Sequence, residues 1–459
     1  MMERRFEIRK RRILQEADIK QQVTKGMLER LEQFAESFIA CFGRREPKEN
    51  AQIYISGLLS DLGRKNVESI AYRYDQDRRA LQRFIGFAPW DHQPLLEELA
   101  RQLGAELGEN DGVIVFDPSA HKKCGNDSVG VQRQWLGRLG KVDNGQVAIY
   151  MGYASRKEHG LVDTRLYLPK QWAKDKARRQ KCGVPKQIRY QTRHELALDM
   201  LKNNGKYLPH GWIAGDDEMG RSSRFRRDLR ALDEQYLLAV PSNTGIRDME
   251  VEPPAYGGRG QPLKRPFQRV DVWRDSLRDD AWARIDVRDG EKGPLVLEIV
   301  KRRVVARTER SWHDPMEELL AVTRSPDGNG KVKYDYYLSN APADTSLDEL
   351  ARVIKAEHRI EDSLKRAKSE AGLSDYEVRT WAGWHHHQTL SLIAAWFLTI
   401  ETRRGKKVHA GADSPSGSRS VVLAAETSLR PQISRLGSAF CKTQKQTKRV
   451  GSFLSLQAT

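Results

Sequence analysis

Cysteine is scarce: Cys41, Cys124, Cys182 and Cys441 are the only four in 459 residues. They stand far apart, with no Cys-x-x-Cys pair and no histidine at zinc-finger spacing, which excludes a disulfide framework and a thiolate-rich zinc site. They read as reduced cytosolic thiols. Long apolar runs are lacking too: the longest, LSLIAAWFLTI at 390–400, falls well short of the ~20 residues a spanning helix needs. No membrane anchor is expected. The opening MMERRFEIRKRR is basic but lacks the apolar segment of a secretory signal, so a cytoplasmic location is expected. Acidic residues are in deficit, 62 Asp and Glu against 79 Lys and Arg, and the resulting formal charge of +17 is spread along the chain. Such a field favours a polyanion, because each phosphate contact releases counterions. An anionic membrane surface is the rival partner. The run HHH at 385–387 does not suggest an ion site, since consecutive helical residues point to different sides; packing or DNA contact suits it better.

The pattern of apolar residues divides the chain. Residues 1–105 read as an all-α unit that contacts DNA, with helical spacing through MLERLEQFAESFIACF, YISGLLSDL and ALQRFIGF. Within it, GRKNVESIAYRYDQDRRALQRFIG fits either a helix-turn-helix or a plain helical bundle with a solvated basic face. Over 106–244 the order is three strands, helix, strand, helix, strand, which gives a mixed sheet flanked by helices. Residues 245–340 read as a β-rich insertion, with a hairpin-like pair in ARIDVRDGEKGPLVLEIVKRRVV. In 341–402 a long helix starts at a capping box of Ser346 and Glu349 and stops at Gly372. From 403 to 459 the composition is that of a basic, flexible tail.

Chemistry enters through DGVIVFDPSAHKK at 111–123. Val113–Phe116 suit a short central strand, and Pro118 is expected to stop its ladder, leaving Asp117 at the strand end. A second apolar run, in GWIAGDDEMG, ends on Asp216. Two adjacent strands would bring these carboxylates together, and hard divalent cations choose such oxygens. Glu361, on the helix after the insertion, is the third candidate. Lys368 lies two turns further along the same face, roughly 10 Å away at 1.5 Å per residue, where it can follow a phosphate chain. Taken singly, Glu361 and Lys368 fit an ordinary solvated charged face better.

The ordered set of segments is more specific. FDPSAHKKCGNDSVGVQRQWLGRLGKVDNGQVAIY, IAGDDEMG and RIEDSLKRAKSEAGLSDYEVRTWAGWHHHQTLSL resemble the first-Asp, second-Asp and Glu segments of the DDE transposases of bacterial insertion sequences. The likeness is to the group whose RNase H-like domain is interrupted before the Glu helix, especially insertion-sequence family 701. GLLSDLGRKNVESIA and LQRFIGFAPWD are similar to that subgroup's leader, so the resemblance spans about residues 30–400.

The resemblance implies an α/β, RNase H-like mixed sheet flanked by helices, and Asp117, Asp216 and Glu361 as ligands of two Mg2+ ions, with Mn2+ as a substitute. It implies a DNA transposase, nucleoid-associated and homodimeric on DNA, acting on double-stranded DNA at the element's terminal inverted repeats and the target. The wider group often carries Tyr and Arg where Ile354 and Glu357 stand here, and Arg359 is the candidate substitute for holding the terminal phosphate. Lys301, Arg302, Arg303 and Arg307 beside Trp312 suit phosphate contact and base stacking in the insertion, or a hairpin packed on the body. Two other readings stay open: an RNase H-like nuclease without strand transfer, and a noncatalytic transposase-derived DNA-binding protein.

Overall fold

Among the described residues five amphipathic helices come first: α1 (Met27–Ala40), α2 (Arg45–Leu58), α3 (Val67–Arg73), α4 (Arg78–Gly86) and α5 (Gln93–Leu107). Leu31, Phe38, Leu58, Ile70, Leu81 and Leu99 on their inner stripes are fully or almost fully buried. Asn66 and Asp77 cap α3 and α4 through side-chain oxygens that accept backbone N–H groups. The computed structural model describes residues 26–408, apart from 254, 256–257, 259–264, 291–292, 309–315 and 327–329.

Four strands follow, β1 (Val113–Lys122), β2 (Gln132–Leu136), β3 (Lys141–Ala154) and β4 (His159–Leu166). Then come α6 (Lys170–Lys174), α7 (Lys176–Lys181), α8 (Arg193–Asn204), β5 (Trp212–Gly215), α9 (Asp217–Arg221), α10 (Ser223–Ala231) and β6 (Tyr236–Ala239). β1, β5 and β6 are parallel neighbours, while β3 runs antiparallel to β1 and β4 antiparallel to β3. The spatial order β4-β3-β1-β5-β6 is an RNase H-like sheet. Val113–Phe116 are buried at its centre because helices cover both faces.

The stretch 245–340 supplies β7 (Gly245–Asp248), β8 (Gln268–Arg269), α11 (Val270–Asp275), β9 (Ala283–Gly290), β10 (Gly293–Ala306), β11 (Glu317–Pro326) and β12 (Val332–Ser339). These strands continue the same sheet through β12, which pairs with β6, to give twelve strands among the described residues. Two long helices close the fold, α12 (Leu347–Glu370) and α13 (Trp381–Val408). Ser346 Oγ accepts the Glu349 N–H at 3.2 Å, but the Glu349 carboxylate turns to Trp212 and Arg352, so the expected box is a single cap. Gly372, at φ 66°, follows α12, and its backbone sits where a Cβ would press on Leu58 and Lys65.

Three expectations change. Pro118 does not end β1, which stays paired with β3 through Lys122. The parallel ladder to β5 has already ended at Phe116–Gly215, so the proline removes no donor on that side. β2, a short strand with alternating burial, was not expected as a separate element. And α13 continues past 402 to Val408, while 409–459 lie outside the described residues.

The histidine run resolves as packing. His386 stacks on Trp90 with ring centres 3.6 Å apart, and both its ring nitrogens lie 2.9 Å from the backbone carbonyls of Ile85 and Trp90. His387 meets the Tyr54 hydroxyl and the Gly372 carbonyl. These contacts tie α13 to the N-terminal helices. Among the described residues no helix is long and apolar enough to cross a membrane.

Candidate active site

The sheet presents two carboxylates at one edge. Asp117 comes one residue after the last β1–β5 pair, and Asp216 directly follows β5, so the two leave neighbouring parallel strands at the same level. Asp216 also caps α9, its Oδ1 accepting the Met219 N–H at 3.1 Å. Gly220 lets α9 press against β6, since a Cβ there would meet the Ala239 carbonyl at 1.9 Å. Close packing thereby fixes the turn that carries Asp216.

α12 crosses above this edge and packs on β1, β3 and β5. Asp117 and Ser119 share the sheet face toward it, and Lys368 Nζ donates to Ser119 Oγ at 2.8 Å. Burial, then repulsion from Glu361, raises the Asp117 carboxyl to about 7, with Lys368 opposing the rise. Burial and the neighbouring Asp117 push Asp216 well above the usual carboxylate range. Glu361 itself is exposed.

A fourth carboxylate joins them. Glu357, half-buried one turn before Glu361, is held far above its ordinary range by burial and by Asp216, Asp117, Asp335 and Glu361 in that order. Sequence reasoning saw only that an acid stands where the wider group often has Arg. Its place against the two aspartates depends on how α12 docks on the sheet, and its i, i+4 spacing to Glu361 was the available signal.

Glu218 and Asp217 are sorted by their partners. Glu218 receives the Arg193 guanidinium, and the exposed Asp217 pairs with Arg221 at 3.4 Å, whereas the half-buried Asp216 turns to the Met219 N–H. Arg359 donates to the Ser155 carbonyl at 2.5 Å, just past the end of β3 that pairs with Val113, and so points away from Asp117. Ile354 is buried.

The basic residues assigned to the insertion have internal duties. Lys301 donates to the Ala343 and Thr345 carbonyls at 2.8 and 2.7 Å, Arg302 to Glu250 at 2.6 Å, and Arg303 to Glu317. The Arg307 side chain lies along Gly245. Trp312 is outside the described residues.

Among the described residues, no three His, Cys, Asp or Glu side chains are arranged as an assembled ion site. The donor set nonetheless suits a hard cation: only oxygens, half-buried at Asp117 and Asp216 and exposed at Glu361, with one lysine set against several like charges. Their mutual repulsion is what a divalent ion would offset.

A family model described as "DDE superfamily endonuclease" matches residues 37–294, more than half of the chain. The chain belongs to this family. Asp117 and Asp216 both fall inside that span, and Glu361 lies beyond it. It is also 25% identical, over 327 residues, to the probable transposase for insertion sequence element IS701 of Microchaete diplosiphon, covering 70% of this chain and 74% of that protein.

Proposed function

We propose that the chain is the transposase of an insertion sequence, which cuts DNA at the element's ends and joins the freed ends to target DNA. The observation that carries this reading is the pair of half-buried, like-charged aspartates on adjacent parallel strands, beneath a helix bearing Glu361 and Lys368. Membership of an endonuclease family and likeness to a probable transposase support it.

Asp117, Asp216 and Glu361 would hold two Mg2+ ions, for which Mn2+ can substitute; when bound, these supply charge neutralisation at the scissile phosphate. The protein's own work is alignment. The strands fix the two aspartates, and Glu361, near enough to raise the Asp117 carboxyl, would complete the set. Lys368, beside Ser119, is placed to receive a phosphate oxygen. Site-bound water attacks first and the freed 3′-hydroxyl second, so no protein nucleophile is required. The partner is double-stranded DNA, and two ends joined together suit a homodimer. Incubating the protein with a matched element end, target DNA and Mg2+ tests the reading: joined products support it, while cutting without joining favours a plain nuclease.

The protonation of Asp117 gives a pH prediction. Its raised carboxyl binds a proton more tightly in the folded than in the unfolded chain, so the metal-free protein gains stability from this group as pH falls below about 7. Cation binding must displace that proton. Mg2+ affinity, read from the metal-dependent rise in Tm, should therefore increase with pH, by up to about tenfold per pH unit for each raised carboxylate, Asp117 and Asp216, that must lose its proton. A pH-independent Tm rise would count against it.

A further inference from the structure

Residues 170–193 hold nine Lys and Arg against the single acid Asp175. This segment carries α6 and α7 and leads into α8. Between α6 and β2 it leaves a cleft of about 430 Å3, lined by Gln132, Gln134, Tyr167, Lys170, Lys174 and Arg193 among others.

The cleft is preformed. Trp172, buried beneath α6, donates its indole N–H to the Val131 carbonyl at 2.7 Å, and the Arg178 guanidinium covers that ring at 3.9 Å. Lys170 and Lys174 stay exposed on the rim. In the wall, Gln132 Oε1 is buried without a hydrogen-bond partner, an acceptor that a water bridging to a phosphate oxygen would satisfy. At the inner end Arg193 reaches Gln134 Oε1 at 3.4 Å and grips Glu218, two residues beyond Asp216. By strand alternation Gln132 and Gln134 lie on the sheet face opposite the Asp117 side chain, at the end of β3 to which β1 runs after Asp117. The link to the carboxylates is the Arg193–Glu218 pair, which joins the cleft's inner end to the turn that carries Asp216. A larger cleft across the Arg193–Glu218 pair is lined by Glu195 and Asp228 as well as arginines, and lacks this uniform sign.

We infer that the β2–α6 cleft binds the sugar–phosphate backbone of a DNA strand running to or from the carboxylate site, with Lys170 and Lys174 as its phosphate contacts. The inference rests on the reading of that site as one that cuts DNA. Each phosphate contact contributes about 0.9 to the slope of log affinity against log salt.

The test measures binding of an element-end duplex with flanking DNA by fluorescence anisotropy, over a range of KCl concentrations without divalent ions. Lys170→Ala/Lys174→Ala should lower the slope by about 1.8 and weaken binding at least tenfold at low salt. Lys186→Ala/Arg189→Ala, exposed in the same segment but outside the cleft lining, should change the slope by less than half as much. An unchanged slope in the first variant, or an equal loss in the second, would overturn the cleft. Asp117→Asn, run in parallel, should bind with the parent slope and fail to cut with Mg2+; if it still cuts, the site reading fails while the slopes still decide the cleft.

Discussion

Glu361→Gln is expected to lower Mg2+-dependent cleavage of element-end DNA by about a hundredfold to a thousandfold, with DNA affinity held within about twofold. The amide keeps the size of the side chain but loses the charge that holds a hard cation, and several kcal/mol of transition-state stabilisation go with it. At about 1.4 kcal/mol per factor of ten, that gives the stated loss. Affinity rests on basic surfaces and is spared, because removing a negative charge beside a polyanion does not weaken association. Glu357 is no neutral comparison here, since it lies within the field of both aspartates. Asp362, exposed on the same helix, is the suitable control, and Asp362→Asn should cut at the parent rate. Glu357→Gln should cost less than Glu361→Gln. The reverse order would make Glu357 the third ligand.

Arg226→Met is expected to destabilise the fold by about 3–5 kcal/mol, the cost of leaving a buried charge without its partner. Arg226 on α10 and Glu318 on β11 are 3% and 0% exposed, and meet through Nε–Oε1 at 2.8 Å and Nη2–Oε2 at 3.3 Å. The Tyr236 hydroxyl donates to the same carboxylate, and Arg226 also donates to the Gly220 carbonyl beside the Asp216 turn. Removing the guanidinium strands Glu318 in a dry interior. Removing both charges does not, so Arg226→Met/Glu318→Leu should recover most of the loss. Urea denaturation of the three proteins decides it. A single variant within about 1 kcal/mol of the parent would show that water reaches Glu318.

Much of the fold is legible in short-range pattern. The run Val113–Phe116, the apolar Trp212–Gly215 before Asp216, and the stripe of Leu350, Val353, Ile360 and Leu364 each announce an element whose buried face the structure bears out. Periodicity is a local signal, and these residues are buried by local pattern. What it cannot carry is pairing across long separations. Arg226 and Glu318 are 92 positions apart, and nothing near either marks it as buried. Lys301, Arg302 and Arg303 read as a phosphate-binding row, and their partners at 343, 345, 250 and 317, which come from other elements, were not legible beside them. Pro118 suggested a strand end because the sequence does not show which neighbour a backbone nitrogen faces. Glu357 illustrates the same limit in the site itself. Its charge was visible, and its closeness to Asp216 was fixed only by the docking of α12.

The central claim is that Asp117, Asp216 and Glu361 together hold divalent ions. Crystals of the protein soaked in Mn2+ allow the ions to be located directly by anomalous scattering. Strong peaks bounded by the carboxylates of Asp117, Asp216 and Glu361, and absent in Asp117→Asn, are the predicted result. Peaks elsewhere with none at this edge, at Mn2+ concentrations that support cleavage, would contradict the account.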